Sequence, residues 1–575
     1  MKFAESPLLS ERLPASRARF VQRVLLAGFA LLIGRSLWLQ GIHNDFLQKK
    51  GESRYERTLE VSATRGRILD RHGDALAVST PVTSIWAIPE DVKLTPHQAR
   101  ELAALLDLDV HELNRRLTSR RDFVYLKRQL PPDQADKVLA LDIGGIHEQR
   151  EYRRFYPTAE VNAHLLGFTG VEDKGQEGIE LAFEEQLAGK PGWRRVIKDR
   201  RGRIVQDVEI GEPPRNGRDI ILSLDNKIQY LAFSALKQAV GTHRARAGSI
   251  VVLDVRSGEI LALVNWPTFN PNNRVQLAGA QLRNRAFTDT FEPGSTFKPF
   301  AAALALETGK FRFDTPIQTA PGRLTIGNAT ISDVHPHGTL TVAQVIQKSS
   351  NVGASKLALS FPPEQMWQMF DSLGFGQPLR LGFPGEVGGR LRPAKSWRPI
   401  EQATMSYGHG ISVTLIQLAR AYLVFARDGD LLPLSLEKVR DGPIAGGKAV
   451  FSPQTAREVR AMLEMVVQPG GTATRAQIPG YRVAGKTGTA HKLESGVYAN
   501  KYIASFVGLA PVSDPRLVIA VMIDEPSAGK HYGGEVAAPV FAQVMAGALR
   551  TLGVPPDAPL KPLQLANVPP AKEEM

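Results

Sequence analysis

The chain has no cysteine in 575 residues, which excludes disulfides and thiolate metal sites. No internal repeat of fixed period runs through it. No nucleic-acid motif accompanies its net charge of +13, so the charge reads as a basic, well-solvated surface rather than a polyanion groove. No Ala-x-Ala-like cleavage site follows the apolar stretch near the N-terminus, which argues for an uncleaved anchor over a removed signal peptide. No cofactor motif is evident and none is expected. Asp333-Val-His-Pro-His337 holds two histidines around a proline, with no matching ligand set elsewhere, and reads as a turn rather than a metal site.

The length suits two or three domains, and the ordinary apolar content supports folded cores. Val24 to Gly34 is apolar, with Arg23 and Arg35 at its ends. Extended over residues 20–42 it reaches spanning length, about 20 residues. Lys2, Arg12, Arg17, Arg19 and Arg23 precede it and favour a cytoplasmic N-terminus. Lys49, Lys50 and Arg54 follow it, so charge alone leaves the orientation open. The competing reading is a buried or interfacial helix.

Three short motifs carry the chemistry: Ser295-Thr-Phe-Lys298, Ser349-Ser-Asn351 and Lys486-Thr-Gly488. Phe291 to Gly294 reads as a turn, and Ser295 through Glu307 as a helix that tolerates Pro299 near its first turn. Ser295 and Lys298 are three apart and share a face. A serine hydroxyl becomes a nucleophile when a base takes its proton, and an uncharged lysine one turn away is such a base. Alone, the pair is as well read as surface residues of an ordinary helix, and Ser435-Leu-Glu-Lys438 repeats the spacing with nothing chemical around it. Thr341-Val-Ala-Gln344 reads as a capping box. The helix it opens breaks at Lys348, which sets Ser349 and Asn351 on a tight inter-helix loop, where helix capping is the plain alternative. Tyr481 to Ala490 reads as the first strand of an antiparallel meander, with Tyr502 to Leu509 and Leu517 to Ile523 following. Gly485 and Gly488 fit a strand that another backbone approaches closely, and a peptide could add to this edge. A fragment of a phosphate-binding loop is the competing reading, set aside because position 481 is Tyr and not the Gly expected to open the full pattern.

With these motifs in this order, the chain resembles the class B penicillin-binding proteins, and within them the division-specific (FtsI-type) peptidoglycan D,D-transpeptidases. The resemblance extends to Arg65 to Ala77, His164 to Thr169, Gly178 to Leu181, Val251 to Ala262, Ser406 to Gly410 and Tyr532 to Pro539. It implies that Ser295 is the acylated nucleophile, Lys298 its base, Ser349 a proton relay to the leaving D-alanine, and Asn351 a holder of the substrate amide. Lys486, Thr487 and Thr489, around Gly488, would bind the terminal carboxylate. The backbone amides of Ser295 and Thr489 would form the oxyanion hole. The implied partners are D-Ala-D-Ala stem peptides, β-lactams, a membrane glycan polymerase and other division proteins.

The expected architecture is multidomain α/β. Residues 1–19 form a cytoplasmic tail and 20–42 an inner-membrane anchor. Residues 46–218 form an elongated α+β pedestal of the dimerisation type, with helical runs such as Pro96 to Leu106. Residues 219–553 form a periplasmic transpeptidase domain with an antiparallel sheet flanked by helices, and 554–575 a disordered tail rich in proline and alanine. The alternatives are an elongation-type transpeptidase, a carboxypeptidase or β-lactamase, and a scaffold or β-lactam sensor. The long pedestal disfavours the hydrolases, and the presence of all motif residues disfavours a scaffold. His409, in Gly408-His-Gly410, is read as structural.

Overall fold

The computed structural model describes residues 14–42, 56–119, 123–198, 204–273, 279–439, 446–494 and 496–559. The expected cytoplasmic tail up to residue 13, the start of the pedestal at 46–55, and the tail from residue 560 lie outside the described residues. The chain packs as two units. One comprises residues up to 63 with 82–151 and 190–215, and the other 64–81, 152–189 and 216 onward. The stretch expected at 46–218 is thus divided between the two units, while 219–553 lies wholly in the second.

In the first unit, Ala15–Leu37 is a helix with no buried residue. Residues Ala15–Gln40 are long and apolar enough to cross a membrane. Arg35 lies in the last helical turn, where a cation meets the negative end of the helix dipole. Thr95 and Gln98 close a reciprocal capping box at the start of helix Pro96–Leu105, and Asp109 caps Val110–Leu117. These helices and strand Val124–Leu130 bury a small core around Leu102, Leu106, Leu113 and Leu126. Strands Glu56–Val61, Gly192–Lys198 and Ile204–Ile210 form a separate antiparallel sheet.

The second unit is built on a five-stranded antiparallel sheet. Its elements in chain order are α1 (Asn226–Thr242), β1 (Ala247–Asp254), β2 (Ile260–Trp266), α2 (Lys298–Glu307), α3 (Val342–Lys348), α4 (Asn351–Leu359), α5 (Leu415–Ala426), α6 (Pro453–Val467), β3 (Ala484–Glu494), β4 (Val497–Ala510), β5 (Leu517–Asp524) and α7 (Ala538–Thr551). The strand order is β2-β1-β5-β4-β3. The expected meander is thus β3-β4-β5, and it joins the β1-β2 hairpin through β1 and β5. β1 and β5 are buried at every position, so helices must cover both faces. Helices α1 and α7 pack on each other and cover one side, while α5 and its neighbours cover the other. β3 is left as a sheet edge.

The N-terminal boxes of this unit meet in a buried ion cluster. Glu180 is fully buried and accepts from Arg65 Nε and Arg154 Nε, each at 2.7 Å. Arg65 also pairs with Glu184 at 2.7 Å. One carboxylate thus holds two guanidinium groups out of water. Removing its charge leaves Arg65 with Glu184 and Arg154 with the Ser79 hydroxyl among the described residues, at a cost of about 3–5 kcal/mol. Glu180→Gln should lower the denaturant midpoint of unfolding accordingly. Arg67→Gln, which breaks an exposed pair with Asp219, should leave the midpoint unchanged. Equal effects of the two substitutions would contradict the assignment.

Candidate active site

A cluster of aromatic rings packs beneath Ser295. Phe297 packs 4.7 Å from Phe375, and Phe300 packs 5.3 Å from Phe425 and 5.6 Å from Tyr422. The Tyr422 hydroxyl donates to Thr296 O at 2.6 Å, and the Thr296 hydroxyl to Pro293 O at 2.7 Å. These contacts fix Gly294–Phe297 as a tight helical turn leading into α2. Two glycines let neighbouring backbones close on that turn. A Cβ on Gly408, at φ +80°, would stand 2.4 Å from Gly294 O, and one on Gly488 would stand 2.8 Å from Pro293 O. Glycine at 488 in β3 therefore admits the Ser295 turn, as the strand reading anticipated.

Lys298 is buried, as is Lys486 on β3. Their side chains converge on one residue. Lys298 Nζ donates to Ser349 O and, at 3.1 Å, to Ser349 Oγ. Lys486 Nζ donates to the same Oγ at 2.9 Å and to Thr487 Oγ1 at 3.3 Å. Each nitrogen lies about 3 Å from one oxygen, so the two are at most about 6 Å apart. Two full charges at that distance would repel by about 3 kcal/mol even at an effective dielectric of 20. Burial lowers both affinities for a proton. Lys486 is brought down to about 7. Lys298 is pushed well below the usual lysine value by burial and then by the neighbouring Lys486 charge, against a smaller upward pull from Asp333. The Lys486 charge weighs on Lys298, so Lys298 is the readier of the two to give up its proton.

Ser349 ends α3 with φ +59°, a left-handed conformation that costs a non-glycine residue about 1–3 kcal/mol. That conformation turns both of its oxygens to Lys298. Thr341 and Gln344 form the expected capping box at the other end of α3. Ser350 caps α4, and Asn351 is its first residue. The Asn351 side-chain Nδ2 donates to Ser332 O at 2.9 Å. On β3, the Thr487 hydroxyl pairs with Thr472 at 3.0 Å, and Thr489 Oγ1 accepts from Gly533 N at 3.1 Å. The Ser295 side chain is half-buried and makes no hydrogen bond among the described residues. The lysine three residues on, expected to meet it, directs its donors to Ser349.

Sequence reasoning missed Asp333, which it left in a turn. Its carboxylate accepts from Ser350 Oγ at 2.7 Å, Asn351 N at 2.5 Å and Val352 N at 2.9 Å. It thereby holds the start of α4 and the second motif. No spacing in the chain announces a contact across seventeen positions. Glu292, also missed, accepts from Gly410 N at 2.8 Å and from the Tyr498 hydroxyl at 3.0 Å. His409 and Tyr498 line a cleft of about 400 Å³ with His491, Ala499 and Asn500. The decoy Ser435 donates to Glu437 O in an extended segment bridged to Glu259. The full phosphate-binding-loop spacing is in fact present, opened by Gly480 and not position 481, with Gly485, Lys486 and Thr487 completing it. The structure rejects that reading, because Lys486 and Thr487 lie within a strand and not on a loop entering a helix.

Residues 248–546 match the penicillin binding protein transpeptidase domain, and residues 60–222 match the penicillin-binding protein dimerisation domain. The chain belongs to the penicillin-binding protein family. It is 46% identical to the probable peptidoglycan D,D-transpeptidase PenA of Neisseria gonorrhoeae, over 95% of this chain and 94% of that one. It is 43% identical to the peptidoglycan D,D-transpeptidase FtsI of Escherichia coli, over 93% and 91%. Among solved structures it is similar to the apo transpeptidase domain of Burkholderia pseudomallei penicillin-binding protein 3. That match has TM-score 0.55 and 51% identity, covering 59% of this chain and 98% of that one. It is also similar to a peptidoglycan synthetase of Bifidobacterium adolescentis, with TM-score 0.70 and 26% identity, covering 88% and 98%. The antiparallel sheet flanked by helices, the two matched domains and the apolar N-terminal helix accord with the expected multidomain α/β architecture.

Residues 554–559, the start of the tail expected to be disordered, are instead held in place. Tyr481 donates to Val554 O at 2.6 Å, and Asp557 accepts from Arg482 N at 2.7 Å and Ser513 Oγ at 2.9 Å. Proline and alanine content does not prevent order where backbone and carboxylate find such partners.

Asp333→Ala removes a helix cap, which costs about 0.5–2 kcal/mol. It should also slow acylation by a β-lactam at least tenfold, because the Ser349–Asn351 segment loses its anchor. Stopped-flow acylation beside thermal unfolding checks this. An unchanged acylation rate would contradict the positioning role.

Proposed function

We propose that the protein is a serine D,D-transpeptidase that cross-links peptidoglycan stem peptides during septal wall synthesis. The observation that carries this reading is the convergence of two buried lysines on Ser349 Oγ beside the Ser295 turn. An uncharged lysine nitrogen has two N–H donors and one lone pair. The donors of Lys298 go to Ser349 O and Oγ, which leaves the lone pair for the Ser295 proton. Ser349 Oγ accepts from both lysines and keeps its own hydrogen to give away.

The steps follow. Ser295 Oγ loses its proton to Lys298 and attacks the carbonyl between two D-alanines. The backbone amides of Ser295 and Thr489 take the oxyanion. Ser349 passes its proton to the departing D-alanine nitrogen and takes in exchange the one Lys298 received, through their 3.1 Å contact. The C–N bond breaks to leave an ester on Ser295 and Lys298 again uncharged. An amine from a second strand then attacks the ester, forms the cross-link and returns the proton to Ser295. Lys486, in its charged form, and the hydroxyls of Thr487 and Thr489 hold the terminal carboxylate, with Gly488 between them, and Asn351 holds the donor amide. β-Lactams follow the first half and stop at the ester.

In this reading residues 1–19 are cytoplasmic, 20–42 anchor the chain in the inner membrane, 46–218 act as a periplasmic pedestal, and 219–553 carry the chemistry. A separate membrane polymerase and other division proteins supply and place the glycan. The names of the Escherichia coli and Neisseria relatives and the two matched domains support the assignment.

The test is labelling of the protein with a fluorescent penicillin, beside Ser295→Ala and Ser435→Ala. Wild type and Ser435→Ala should acylate near one-to-one, and Ser295→Ala should not label. Retained labelling of Ser295→Ala would overturn the assignment of the nucleophile.

A further inference from the structure

If the leaving residue's carboxylate sits at Lys486 and Thr487, and the scissile carbonyl at Thr489, the donor strand upstream of that carbonyl runs along the free edge of β3 toward His491. Two residues of strand advance about 7 Å. Thr489, His491 and Leu493 alternate onto one face and grow more exposed toward the hairpin tip.

At His491 the edge gives way to a continuous floor of rings. His491 lies 4.6 Å from Tyr502, and Tyr502 stacks on His531 at 4.0 Å. This floor leads into a groove of about 460 Å³ across the end of the sheet, lined by Arg244, Arg246, Lys501 and Lys530 together with Tyr502 and His531. The groove is positively charged and incompletely neutralised. Glu525 is engaged by Arg246 at 2.8 Å and Lys492 at 2.6 Å, and its hydrogen bonds to them hold it at about 2 despite partial burial. Lys492 also takes Asp524 at 2.8 Å, and Lys501 takes Glu494 at 2.8 Å. Three carboxylates thus face five cations. Arg244 and Lys530 make no side-chain hydrogen bond or ion pair among the described residues.

We propose that this groove is a subsite for the anionic upstream part of the donor strand, an extended peptide bearing free carboxylates, with Arg244 and Lys530 as its receiving cations. The inference rests on the transpeptidase reading, which supplies the direction of the donor along β3. The stacked imidazole and phenol rings form a flat wall that an extended chain can lie against, and the two unpaired cations stand where its carboxylates arrive.

The test uses the full-length protein in detergent and two thioester donors of one sequence, one with two upstream carboxylates free and one with both amidated. Arg244→Gln/Lys530→Gln should raise KM for the dicarboxylate donor about five- to tenfold with kcat held. It should leave the diamide donor and the rate of penicillin acylation unchanged. The advantage of the dicarboxylate donor over the diamide in wild type should shrink at about 0.5 M salt, where the screening length falls to a few ångströms. Equal losses for both donors, or no loss for either, would overturn the subsite. If wild type is not labelled by penicillin and turns over neither donor, the serine-enzyme reading itself falls, and this proposal falls with it.

Discussion

Two lysines whose charges disfavour one another are buried against one serine hydroxyl, and most of the site serves that constraint. Lys298 and Lys486 each donate to Ser349 Oγ. Removing a lysine from water disfavours its ammonium form, and a second ammonium nearby disfavours it further. The result is a division of labour between chemically identical side chains. In the proposed mechanism the one that loses its proton more readily is the base, and the other is the cation that meets an anion.

The surrounding structure keeps that arrangement from relaxing. The left-handed Ser349 is held between a capped α3 and the Asp333-anchored start of α4. Lys486 is carried by β3, whose glycine at 488 lets the Ser295 turn close over it. The turn is held from below by Tyr422 and a packed set of phenylalanine rings. Strain at Ser349 and the desolvation of two amines are tolerated because packing on every side over-determines their positions.

Much of this was legible in the sequence where it is local. The capping box at Thr341, the strand nature of Lys486 to Thr489 and the inter-helix position of Ser349 all follow from short-range pattern. The family resemblance gathered the three motifs into one site. Relations set by tertiary structure were not legible. The three-residue spacing of Ser295 and Lys298 suggested a mutual contact, yet the amine turns to Ser349, fifty-one positions on. Asp333 looked like part of a turn with two histidines and is instead a helix anchor. The complete phosphate-loop spacing from Gly480 to Thr487 is a coincidence that only the strand geometry dismisses. Val554 and Asp557 sit in a stretch whose composition suggests disorder, and their order comes from Tyr481, Arg482 and Ser513.

The central claim concerns protonation, so the decisive measurement is the pH dependence of the second-order rate of β-lactam acylation, which reports the free enzyme. The account predicts a bell. The rate rises as Lys298 loses its proton far below the ordinary lysine range, then falls near pH 7 as Lys486 loses the charge that meets the carboxylate. A rate that climbs steadily toward pH 10, as an unperturbed lysine base would give, would contradict it.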